Sequence, residues 1–284
     1  MSNDFFFLNK KLWEKMFCDN QNRGRFIMDQ IESKFTKIYE TNGWFGDESV
    51  SGGGSSMKQT EIIRVEIPKL IKKYEIELFI DAPCGDLHWM REVLSDCYFD
   101  KGMDFEYIGI DIVKDLIDKN KFLYEKKNIT IPADRNVGDE WFKVPYDLIE
   151  HPFHMELMKR INFNKVSFRH SSIIDGDLPQ IYNEFKIESK QCMIFVRDCL
   201  VHFSYSDIIK TINNFRKAGY KWLLTTSFPR RENRDIETGQ WRPINFERQP
   251  FGLKPLETIN EGCTENNGIY TDKSLVLFDL YDGV

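Results

Sequence analysis

Apolar and polar positions fall into short runs whose period changes along the chain. Phe5, Phe6, Phe7, Leu8, Leu12, Trp13, Met16 and Phe17 make an apolar helical start, and Phe26, Ile27, Ile31, Phe35 and Ile38 recur near helical spacing, which predicts a helix over 25–39. A Gly- and Ser-dominated stretch at 43–56 breaks the pattern and reads as a loop. A helix follows over 60–74, ending near Lys72 and Lys73, whose charges suit its C-terminal dipole. Strands then alternate with helices: strand 76–81, helix 89–94, strand 105–111, helix 113–124, strand 165–170, strand 192–196, helix 206–218 and strand 221–226. The fourth strand is entirely apolar, which places it centrally. Ser206 reads as the N-cap of the helix before Gly219, and 256–261 with 274–281 read as a closing hairpin. This alternation predicts an α/β fold with a mostly parallel sheet covered on both faces. Residues 128–164 are long for a crossover, and 227–250 form a polar loop rich in Arg and Asn.

Composition narrows the picture. The chain has 284 residues, 41% of them hydrophobic, enough for a sizeable core in one large domain. The net charge of -6 comes with mixed signs and no basic stripe, which argues against nucleic acid as a partner. The six cysteines show neither C-x-x-C nor zinc-finger spacing and read as reduced thiols, and no spacing demands a metal. Without a leader pattern or an apolar run of membrane-spanning length, the expectation is a cytoplasmic protein with no membrane span.

Three segments carry candidate chemistry. Asp81 ends the first strand and Gly85 follows four positions on, where the chain must turn sharply into a helix. That turn serves either structure alone or the close approach of a nucleotide-like ligand. Pro83 stands near the first glycine position of the dinucleotide fingerprint and only Gly85 is kept, which argues against a pyrophosphate. Asp111 tips the second strand, where a carboxylate accepts hydrogen bonds from ribose hydroxyls or caps the next helix. The fourth strand runs out into Arg197, Asp198 and His202, at the sheet end that faces ligands in open α/β folds. His202 is the candidate general base, Asp198 its orienting group or an acceptor ligand, and Arg197 a cofactor-side group or an ion-pair partner.

Taken together, these segments resemble a group of bacterial and viral class I S-adenosylmethionine (SAM)-dependent methyltransferases associated with glycan biosynthesis. The resemblance rests on Glu48 to Ser55, Asp81 to Asp86 with Trp89 and Met90, Tyr107 to Asp111, Arg197 to His202, Thr225-Thr226, Asn233, Asp235, Thr238 to Asn245 and Pro250-Phe251. It implies a Rossmann-like fold with a seven-stranded sheet whose last strand is antiparallel. N-terminal helices and a Ser/Gly lid loop (1–60) would precede the SAM-binding domain (61–284), with 128–164 as an insertion shaping the acceptor pocket or a homodimer contact. It places Asp81, Pro83, Cys84, Gly85, Asp111, Ile112, Ser172 and Arg197 at the cofactor, Ser172 standing where relatives commonly have an Asp that meets adenine.

The implied chemistry is O-methylation of a sugar hydroxyl on a small-molecule or glycan acceptor, with His202 and Asp198 as catalytic residues. Trp241 would stack on a sugar face, and Arg242 and Asn245 would donate to the acceptor. The rival readings are an NAD(P)-dependent nucleotide-sugar enzyme, against which the missing glycines count, and a non-catalytic SAM- or nucleotide-binding partner, against which Arg197, Asp198 and His202 count.

Overall fold

The computed structural model describes residues 30–125 and 163–282. The apolar start at 5–17 and the insertion up to residue 162 lie outside the described residues. Residues 30–40 form helix α1, and α2 spans Glu61–Lys73. Strand β1 (Leu78–Asp81), α3 (Met90–Ser95), β2 (Glu106–Asp111), α4 (Lys114–Tyr124) and β3 (Val166–His170) follow. Then come β4 (Cys192–Val196), α5 (Tyr205–Ala218), β5 (Trp222–Ser227), β6 (Pro255–Asn260) and β7 (Ser274–Asp279).

The strands form one sheet in the order β3-β2-β1-β4-β5-β7-β6. Strands β1 to β5 pair in parallel, and β7 runs antiparallel to both β5 and β6. This is a Rossmann-like seven-stranded sheet, with the antiparallel last strand that the resemblance implies.

Alternate residues of a strand point to opposite faces, and both faces of the central strands are covered here. On one face Leu78, Ile80, Ile194 and Val196 pack with Ile208, Ile212 and Phe215 of α5, and Phe35 of α1 joins them. On the other, Phe79, Met193 and Phe195 pack with Ile63, Ile67 and Leu70 of α2 and with Val93 and Leu94 of α3. Helix α5 starts at Tyr205, one residue before the expected start, and its cap lies two residues earlier than expected. Ser204, not Ser206, is extended and accepts a hydrogen bond from Asp207 N (3.2 Å), so it is the cap. Among the described residues no helix is long and apolar enough to cross a membrane.

Candidate active site

The connection after β1 leads toward β2, and the one after β4 leads toward β5. The chain therefore parts at the carboxyl ends of β1 and β4, where open α/β sheets form a crevice. A cavity of about 290 Å³ lies there. Its floor comes from the turn after β1, the tips of β2 and β4, and Ser171 to Ile174, and its roof from Ile31, Phe35, Tyr39, Trp44 and residues 50–55.

At one end stand Asp81 and Asp111. Asp81 is buried and accepts a hydrogen bond from Tyr107 Oη (2.7 Å). Burial pushes its pKa up to about 8 despite that bond. Asp111 accepts from Gly85 N (3.0 Å) and Val113 N (2.9 Å), one bond on each carboxylate oxygen, and the Ile112 amide also pulls on it. Burial raises it to about 6, against the pull of those amides. Gly85 has φ 55° and lies so close to the roof that a Cβ would run into Ser51 Oγ. Asn120 Nδ2 donates to Gly85 O (2.8 Å) and holds the turn. The Cys84 thiol is buried, which pushes it well above its usual value, so it is an inert wall of the cavity.

The Ser/Gly stretch is docked on the turn after β1. The Asp86 carboxylate accepts from Ser49 Oγ (2.9 Å), Val50 N (3.2 Å), Ser51 Oγ (3.4 Å) and His88 N (3.2 Å). Glu48 faces His88 Nε2 at 3.3 Å and accepts from Met57 N (2.9 Å).

At the other end, His202 closes the turn Leu200–His202 after β4. Its Nδ1 lies 3.0 Å from the Gln240 carbonyl, which can only accept, so Nδ1 carries the proton and Nε2 keeps its lone pair. Burial lowers its pKa below 6.5. Asp198 does not orient this histidine. Its carboxylate accepts from Lys273 Nζ (2.6 Å) and Thr226 Oγ1 (3.3 Å). Burial alone would raise Asp198, but the Lys273 ammonium and Arg197 guanidinium outweigh it and hold it at about 2. Arg197 donates Nε (3.1 Å) and Nη2 (2.7 Å) to Glu261, so it is the ion pair among the two roles expected for it, although it lines the cavity.

Of the expected acceptor contacts, Trp241 reaches the cavity, edge-on to Tyr270 with centroids 5.0 Å apart. Arg242 and Asn245 do not. Arg242 is fully buried and donates to Leu200 O (2.8 Å) and Phe203 O (2.7 Å), bracing the turn that carries His202. Asn245 donates to Pro229 O (2.8 Å) and Arg231 O and accepts from Glu247 N, holding the 229–247 loop in shape. Ser172 and Ile112 line the cavity, as does Pro83. The Ser172 hydroxyl already serves its own turn, accepting from Ile174 N (3.1 Å) and donating to Asp175 Oδ1 (3.2 Å).

Sequence reasoning missed Lys273, Glu265, Trp44 and Tyr270, all of which line the cavity. Lys273 is buried at the start of β7, bound to Asp198 and, at 3.3 Å, to Glu265. A signal for it existed: an antiparallel strand begins where its parallel neighbours end, so residues just before β7 belong at the ligand end of the sheet. Among the described residues, no group of three or more His, Cys, Asp or Glu side chains is placed to hold a metal ion.

No protein-family model matches the chain, and no curated protein matches it. Its fold is similar to that of human N-acetylserotonin methyltransferase in complex with SAM, with a TM-score of 0.48 and 8% identity over 86% of this chain. The match spans 58% of the human chain. Magnesium protoporphyrin IX methyltransferase from Synechocystis PCC 6803 with bound S-adenosylhomocysteine (SAH) is similar at a TM-score of 0.49 and 9% identity, covering 90% of this chain and 98% of that one. A third similar structure is the Burkholderia thailandensis 1,6-didemethyltoxoflavin-N1-methyltransferase, at 0.44 and 10% identity over 87% of this chain and 86% of that one.

Proposed function

We propose that this chain is a SAM-dependent methyltransferase that O-methylates a sugar hydroxyl, with the cofactor at the Asp81–Asp111 end and the acceptor between His202 and Trp241. The observation that carries the cofactor choice is the charge of the cavity. Five carboxyl groups line it, Asp81, Asp86, Asp111, Asp198 and Glu265, and even with Asp81 largely neutral before binding the other four outnumber the two permanent cations, Arg197 and Lys273. Both cations are held by carboxylates, at 2.7 Å from Glu261 and 2.6 Å from Asp198. Such a lining attracts a ligand with net positive charge, and SAM carries one through its sulfonium. A dinucleotide pyrophosphate would find no uncommitted cation among the lining residues described.

SAM supplies an activated methyl group on a cationic sulfur. Asp111 would take the ribose through its remaining acceptor capacity, and Asp81 the ammonium. His202 Nε2 would remove the proton of the acceptor hydroxyl, making it a better nucleophile. Gln240 fixes the tautomer that leaves Nε2 able to do so. The Trp241–Tyr270 pair and the Asp198 and Glu265 carboxylates form a wall suited to a sugar, an apolar ring face beside acceptors for its hydroxyls. Incubation with methyl-labelled SAM and a panel of monosaccharides, nucleotide sugars and glycan fragments tests this. Label is expected in an alkali-stable ether on a sugar hydroxyl; label on nitrogen or in a carboxyl ester contradicts the acceptor reading.

A further inference from the structure

Asp86 is not needed by the chemistry above, yet it is the most heavily bonded carboxylate on the cavity wall. A carboxylate offers about four lone-pair sites. Here the Ser49 hydroxyl lies 2.9 Å from each oxygen, Val50 N and Ser51 Oγ come from the same strap, and His88 N comes from its own turn. With its sites taken, Asp86 has no free capacity to bind a ligand directly. What it holds is a segment 37 residues away in sequence at Ser49. That segment spans both ends of the cavity. Ser51 sits against Gly85 beside the Asp111 carboxylate, and a Cβ on Gly54 would lie 3.0 Å from Asp198 Oδ2 and 3.4 Å from Lys273 Nζ. The strap therefore passes as bare backbone between the two ends.

We propose that Asp86 is a positioning residue that clasps the strap 49–54 over the cavity, so that bound SAM is retained by a segment from outside the sheet. The proposal rests on the SAM reading above. A ligand enclosed this way leaves only as fast as the strap opens, so loosening the clasp speeds dissociation more than it slows entry. Ser49 is the partner whose hydroxyl reaches both carboxylate oxygens, so removing that hydroxyl should loosen the clasp in the same direction as changing Asp86.

The test measures SAM affinity and dissociation rate for the wild-type chain, Asp86→Asn, Ser49→Ala and the double variant. Hydrogen exchange at 49–54 is followed in the ligand-free proteins. Each single variant is expected to raise the SAM Kd about tenfold, mostly through faster release, with faster exchange in the strap. The double variant should bind no more weakly than Asp86→Asn alone, because the Ser49 contact is among those that Asp86→Asn already disrupts. Single variants that bind SAM within twofold of wild type overturn the proposal, as do losses that simply add. If Asp86→Asn does not fold, Ser49→Ala and Ser51→Ala carry the same outcomes from the strap side. Failure of the wild-type chain itself to bind SAM is a different result: it removes the cofactor reading and this proposal with it.

Discussion

His202 gives its Nδ1 proton to the Gln240 carbonyl, and burial lowers its pKa below 6.5, so Nε2 is an uncharged base at neutral pH. Methyl transfer should therefore rise as pH climbs through a value below 6.5 and stay level through neutrality. His202→Ala should lower kcat by about 10²–10⁴ with SAM affinity intact, and kinetics beside calorimetric SAM titration check both halves. An unchanged kcat would remove His202 from the base role. Asp81 behaves in the opposite sense. Its pKa of about 8 leaves it mostly protonated at pH 7 in the ligand-free cavity, and a cationic ammonium beside it would favour the charged form. SAM binding at pH 7 is then expected to release protons, seen as a dependence of the calorimetric heat on the buffer's ionisation enthalpy. Asp81→Asn should abolish that dependence. The residue types at Asp81, Asp111 and His202 were legible in the sequence because strand ends and spacing point to them. Their partners were not, since the Gln240 carbonyl and Tyr107 hydroxyl reach them through the fold.

The elements around these residues show where local pattern suffices and where it fails. Strands β4 and β7 follow from apolar runs alone, because burial on both faces is written into successive residues, whereas β6 is mostly exposed and carries no such run. The start of α5 does not, because Ser204 and Ser206 have equal capping chemistry and only the backbone turn selects Ser204. Ser204→Ala should cost about 1 kcal/mol in denaturant unfolding, whereas Ser206→Ala should cost a few tenths at most. The loop 227–250 misled in another way. Arg242 and Asn245 carry the donors an acceptor pocket needs, but they use them on backbone carbonyls. Arg242 is expected to act on catalysis through the turn it braces. Arg242→Met removes the guanidinium bonds to the Leu200 and Phe203 carbonyls, and kcat is predicted to fall at least tenfold while SAM affinity changes less than twofold. Unfolding midpoints measured alongside separate a displaced His202 from a lost fold.

Across the whole molecule, the sheet order and the antiparallel last strand agree with the resemblance, because alternating strands and helices leave few ways to bury both faces of one sheet. What the sequence kept hidden is how distant segments meet. The strap at 49–54 closes on Asp86, Lys273 from the start of β7 reaches Asp198, and Trp44 lies 5.8 Å from the His202 ring. None of these contacts has a local signature. Together they give a cavity whose carboxyl groups outnumber its cations, and the account's central claim is that this cavity takes SAM rather than a dinucleotide. Thermal unfolding with saturating SAM, SAH or NAD tests it directly. A ligand at about 100 times its Kd stabilises the native state by about 2.7 kcal/mol, enough to shift the midpoint by several degrees. SAM and SAH are expected to give that shift and NAD none; stabilisation by NAD and not by SAM would contradict the SAM reading.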